Sequence, residues 1–171
     1  QVGLLADIAL SGDESRLACD GGEDQVLADG GSITHQWFKD VHAAAKEGKN
    51  PRVICTQPAT AIKCGGAPQK ILYLSDDYLK RDGLSADFIF ATNSGNLFGV
   101  PEVNKTLVEE VQPRYGNITN KFGHNLIAVD TENKVATFEH KYQVKGEYDE
   151  DLEEYEMIDK EERVELEYDF I

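Results

Sequence analysis

No stretch of this chain strings together the eighteen or more apolar residues that a membrane-crossing helix needs, and its first residues, QVGLLADIAL, lack the basic region and apolar core of a secretion signal. The expectation is a polypeptide that is soluble by itself. Positive charge is also scarce: 17 Lys and Arg face 32 Asp and Glu, for a net charge of −15. Binding to nucleic acid relies on basic side chains that displace counterions from phosphates, so no nucleic-acid partner is expected. Cysteine is scarcer still. Cys19, Cys55 and Cys64 form no Cys-x-x-Cys pair and no run of ligand spacings with histidine. An odd count at wide spacing argues against both a disulfide scaffold and a zinc site, and leaves at least one thiol without an intrachain partner. His35 and His42 stand two turns apart on one expected helix, too far to share an ion, so no metal is expected. The Asn-x-Thr triplets at Asn104 and Asn117 match the glycosylation pattern, but without a secretion signal they are chance matches.

What remains suffices for one core, since a chain of this length can bury roughly 70% of its unfolded surface. Residues 1–31 hold six glycines, clustered acids and one short apolar stretch, Val2 to Leu10, and read mostly as loop. The chain begins without methionine, as expected of an excised domain. From residue 32 to 171 the pattern is that of one folded domain. Ile33, Trp37, Val41 and Ala44 recur at helical spacing, with Ser32 or Thr34 to cap the start and Gly48 to stop it. Arg52 to Cys55 is a short buried strand, followed by a long turn from Gln57 to Ala67. A second helix is predicted from Pro68 to Arg81, with Ile71, Leu72, Tyr78 and Leu79 facing inward and Lys80 and Arg81 suiting the helix dipole. Asp87 to Thr92, around Phe88, Ile89 and Phe90, is a second buried strand. Strand, helix, strand makes a parallel, right-handed βαβ unit.

Pro101 then opens a third helix through Val103, Leu107 and Val111, which Pro113 ends or kinks. Past Gly116 the pattern changes to short strands at Ile118–Phe122, Asn125–Val129 and Val135–Lys141, and a last one alternates Val164, Leu166, Tyr168 and Phe170 with acids. An acidic segment at 145–162 precedes it. From Glu147 to Glu162 ten acids face one lysine, so nine of the fifteen surplus negative charges sit there. The segment reads as a solvated, poorly ordered hairpin tip, with docking to a basic partner as the alternative.

A βαβ unit invites a dinucleotide, but the sequence contains no GxGxxG, and Thr92 and Asn93 stand where an acid would hold the ribose. The chemistry points instead to Lys63, Cys64, Gly65, Gly66, Ala67, Pro68, Gln69 and Lys70, which read KCGGAPQK. Two glycines let the backbone approach a neighbour closely, and Pro68 suits the first turn of a helix. A helix start just beyond a sulfur favours a thiolate over a thiol, and two lysines flank the run. The competing reading makes Cys64 a small apolar residue in a tight turn. Cys55, inside a strand, is expected to be buried and inert.

Across residues 56–100, TQPATAIKCGGAPQKILYLSDDYLKR and then DFIFATNSGNLFGV resemble the sulfide:quinone oxidoreductases, membrane-peripheral flavoproteins of the pyridine nucleotide-disulfide oxidoreductase superfamily. The likeness continues more loosely through HNLIAVDTENKVATFEH at 124–140. It implies an α/β fold: a Rossmann-like, three-layer βαβ domain, NADH-domain-like but without the nucleotide fingerprint, followed by an antiparallel β-meander. It also implies that Cys64 is a redox cysteine that receives sulfide sulfur while electrons pass to FAD and then quinone, with Lys63, Gly65, Gly66, Ala67, Pro68, Gln69 and Lys70 as the shell near the cofactor. FAD, the second redox cysteine and the membrane contact would belong to the remaining sequence of a longer parent, leaving this chain without cofactor and inactive alone. The alternatives are the flavoprotein of flavocytochrome c sulfide dehydrogenase, which typically has prolines where Gly65 and Gly66 stand, and a non-catalytic interaction module with an acidic surface. Cys19 has no supported counterpart.

Overall fold

The structure, a computed structural model, describes residues 23–60, 64–115, 117–150 and 153–171. Cys19 and Lys63 lie outside the described residues. Helix α1 (Glu23–Lys46) leads into strand β1 (Arg52–Gln57), helix α2 (Ala67–Arg81) and strand β2 (Asp87–Thr92). A short helix α3 (Pro101–Thr106) widens over Leu107–Val111 and tightens over Gln112–Arg114 before strand β3 (Ile118–Lys121). Strands β4 (His124–Asp130), β5 (Val135–Asp149) and β6 (Glu154–Glu167) follow. β1, β2 and β3 form a parallel sheet in that order, with Val53 opposite Phe88 and Phe88 opposite Ile118. β4, β5 and β6 form an antiparallel meander in which Phe138 stands between Leu126 and Val164. The fold is thus the expected βαβ unit followed by a meander.

Strand alternation explains the layering. Val53, Cys55, Phe88 and Phe90 face one side of the parallel sheet and pack against Val41 and Ala45 of α1 and Leu72 and Leu79 of α2. The intervening Ile54, Ile89 and Ala91 face the other side, where Ala136, Phe138 and Tyr168 meet them. With both faces covered, β1 and β2 read as continuous apolar runs. The chain end returns to the sheet edge: Phe170 bridges Val53 in parallel, and the Ile54 N–H donates to the Phe170 carbonyl at 2.9 Å. Gly123, at φ +69°, turns the chain from one sheet to the other. A Cβ there would stand 2.2 Å from the Lys141 carbonyl oxygen, so this position excludes any side chain.

Five features depart from the sequence expectation. Helix α1 begins at Glu23 rather than Ser32 and runs through Gly30 and Gly31. A glycine inside a helix costs about 1 kcal/mol relative to alanine, too little to end a helix that later packing holds. In α2, Ile71 and Tyr78 are exposed; the inward stripe is Gln69, Leu72, Ser75, Asp76 and Leu79. Of its polar members, Ser75 donates to the Ile71 carbonyl at 2.6 Å, and the buried Asp76 carboxylate has Lys80 Nζ 2.5 Å from Oδ2 while its Oδ1 has no hydrogen-bond partner among the described residues. The third helix loses its regular pitch at Leu107, since Pro113 has no N–H to donate and its ring crowds the carbonyl four residues back. Ile118–Lys121 belongs to the parallel sheet, not the meander; so short a strand carries no mark of its partner in its own residues. Finally, the acidic segment is paired strand, running from Val135 opposite Glu167 to Asp149 opposite Glu154 with one register shift between Lys145 and Tyr148.

Candidate functional site

Cys64 sits exposed in the turn between β1 and α2. That is the carboxyl end of the parallel strands, where open α/β sheets carry their ligand sites. The turn closes locally, the Ala67 N–H donating to the Cys64 carbonyl at 3.0 Å and the Lys70 N–H to the Gly66 carbonyl at 3.1 Å. Gly66 caps α2 without a side chain, and Pro68 stands in the first turn, where a missing N–H has no consequence. A Cβ on Gly66 would meet nothing within 4 Å, so this position leaves open space. At Gly65 a Cβ would stand 3.3 Å from the ring of Phe98, which lies against the glycine.

The remaining predicted shell residues separate by side. Ala67 and Lys70 are exposed and Pro68 is half-buried. Gln69 turns inward and is only 2% exposed; its amide donates to the Leu97 carbonyl at 2.6 Å and accepts from the Tyr73 hydroxyl at 3.1 Å. The N–H groups of Leu97 and Phe98 both donate to Asn104 Oδ1, at 2.8 and 3.3 Å. One chain of bonds therefore runs from α2 through the loop after β2 to α3 and holds Phe98 beside Gly65. The sequence reading names Asn104 only within a chance glycosylation triplet and gives Leu97 and Phe98 no part in the site. The available signal was an apolar pair in a loop otherwise made of Asn, Ser and Gly, because such a pair has to cover something.

The two described cysteines differ sharply. Cys55 is buried, and burial pushes its thiol up to about 12, so it stays neutral over the physiological range. Together with Trp37, Pro68, Ile71 and Ile171 it lines an apolar cavity of about 270 Å³ beside the start of α2. Cys64 is open to solutes. Of the two histidines on α1, His35 is exposed, while His42 Nε2 lies 2.7 Å from Asp82 Oδ2 and ties α1 to the end of α2.

No protein-family model matches the chain. Individual proteins do match about half of it. The mitochondrial sulfide:quinone oxidoreductase of Mus musculus is 39% identical over 93 residues, 53% of this chain and 20% of its own length. That of Dictyostelium discoideum is 39% identical over 88 residues, 50% and 19% of the two chains. That of Schizosaccharomyces pombe is 30% identical over 92 residues, 53% and 20%. The chain spans about a fifth of the length of these curated relatives. By sequence it is a relative of the sulfide:quinone oxidoreductases, an oxidoreductase family.

Proposed function

We propose that this chain supplies a redox-active cysteine, Cys64, to an FAD-dependent oxidation of sulfide whose electrons pass to a quinone. The observation that supports this is the place of Cys64: exposed, at the carboxyl end of the parallel sheet, in the turn that opens α2, beside two glycines. FAD, when bound, would accept two electrons from sulfur and hand them on. On this chain's side, Gly66 leaves room for a flat group to approach, and exposed Ala67 and Lys70 border that room. Gln69 acts as a positioning residue through the Leu97–Phe98 loop. The chain has no dinucleotide fingerprint, so the flavin would be held mainly by sequence beyond these residues, and the chain alone would not turn over. Contact with a quinone-bearing membrane would fall to that same sequence. Among the described residues no helix is long and apolar enough to cross a membrane.

The part assigned to Cys64 can be tested on the chain itself. Inorganic tetrasulfide offers a sulfane sulfur: the Cys64 thiolate attacks it, a new Sγ–S bond forms, one S–S bond of the donor breaks, and trisulfide leaves. Peptide mapping by mass spectrometry should find the added sulfur on Cys64 at a rate at least about tenfold above that of the same cysteine in the urea-unfolded chain, with Cys55 unreacted while folded. Equal rates folded and unfolded would reduce Cys64 to an exposed thiol and remove the reading.

A further inference from the structure

The β5–β6 ribbon leaves the body of the domain at His140. Up to that point β4 pairs with β5, and Ala136 and Phe138 pack into the core. Beyond Lys141, whose N–H still donates to the Gly123 carbonyl at 2.9 Å, the two strands, among the described residues, pair only with each other. A two-stranded ribbon is marginal in water and has no core to receive apolar side chains. This one carries five large ones, Tyr142, Tyr148, Tyr155, Met157 and Ile158, each between 37% and 51% exposed. The register divides them between the faces. Tyr142 opposite Lys160 and Val144 opposite Ile158 continue the face of Phe138, while Lys145 opposite Met157 and, past a bulge, Tyr148 opposite Tyr155 make the other.

These side chains are placed, not merely left over. The Tyr148 and Tyr155 rings meet edge-on at 5.0 Å, and Lys145 Nζ lies 4.6 Å from the Tyr155 ring centre. Ile158 lies across Gly146, where a Cβ would stand 2.8 Å from its Cδ1. Among the described residues, the rest of the domain lies at one end of the ribbon and leaves apolar groups on both its faces uncovered. The surround names the occupant. Acids dominate from Glu147 to Glu162, and Lys141, at the root, is already engaged by Glu139 at 2.9 Å and Glu161 at 3.5 Å. A second copy would set two acidic ribbons against each other, and anionic lipid or nucleic acid meets the same repulsion.

We propose that the ribbon beyond His140 is an arm that docks into a cleft of another protein, basic at the rim and apolar on the floor. This assignment goes beyond the redox reading and stands independently of it.

The test selects phage-displayed random dodecapeptides on the full chain. Two variants are counter-screened: Tyr148→Ser with Tyr155→Ser and Ile158→Thr, and Glu153→Gln with Glu154→Gln and Glu156→Gln. The second set leaves the apolar groups in place and keeps the test open if the first disturbs the ribbon. Recovered peptides should combine Lys or Arg with apolar residues, and each variant set should weaken their binding about tenfold or more. Basic peptides that bind the apolar variant as tightly as the parent would overturn the proposal, as would a failure to enrich any sequence. A dimer in sedimentation that either variant set dissolves would give the surface to a second copy and overturn it too.

Discussion

Phe90 and Phe138 in the body of the domain and Tyr148 and Tyr155 on the ribbon are all aromatic residues on strands, yet the first pair is fully buried and the second about half exposed. The difference does not lie in the strands. It lies in what stands above them: helices cover one side of the parallel sheet, the meander covers the other, and the ribbon extends past both. A strand's alternation decides which residues share a face; only a neighbouring layer decides whether that face is dry.

The contrast can be broken most directly by truncation. Phe90→Ala should lower the unfolding free energy by about 3–5 kcal/mol, while Tyr155→Ala should stay within about 0.5 kcal/mol, both read from urea unfolding. Comparable losses at the two sites would mean that the ribbon is part of the folding core after all.

A smaller effect tests the bond chain behind the Cys64 turn. Gln69→Leu fills much the same volume but leaves the buried Leu97 carbonyl without its donor, and should destabilise by about 1–3 kcal/mol. The amides of Leu97 and Phe98 should then exchange hydrogen faster than those of β2. Unchanged protection there would show that Gln69 does not hold the loop.

The seam between body and ribbon should answer to pH. His124 stacks on His140 at 4.0 Å and donates from Nδ1 to the Phe122 carbonyl at 2.7 Å. Burial holds its pKa below the ordinary 6.5, with His140 and Lys121 acting the same way against the Phe122 carbonyl and Glu162. The unfolded chain therefore takes up this proton first. Stability from His124 is present above 6.5 and is lost as pH falls from there towards the lower folded value. The urea midpoint should drop between about pH 7.5 and 5.5, and His124→Asn should lose less over that interval than the parent; equal losses would assign the dependence to other groups.

Much of this was legible in the residues. Phe88-Ile89-Phe90 between turn signals marks a buried strand, Pro68 marks the start of α2, and the last strand's alternation marks a half-buried one, because each rests on contacts close in sequence. Cys55 inside an apolar run was legible as buried for the same reason. The start of α1 was misplaced because paired glycines look like a break, whereas one end of a helix anchored on Val41 and Ala45 can carry them. The inward stripe of α2 was misjudged because Gln69, Ser75 and Asp76 look like surface residues until their partners are known.

The amino-acid sequence alone settled the succession of elements, the parallel βαβ unit, the position of the cysteine turn at the head of a helix, and the negative charge of the later strands. These depend on spacing, turn chemistry and composition, all carried by residues near one another in the chain. Tertiary structure alone decided that β3 joins the parallel sheet, that Gln69 turns inward to fasten the Phe98 loop, and that the acidic strands run out beyond the core with apolar side chains on both faces. Each of these is a pairing between residues distant in sequence, and whether a polar group is buried or an apolar one left in water depends on a partner that its own neighbours do not name.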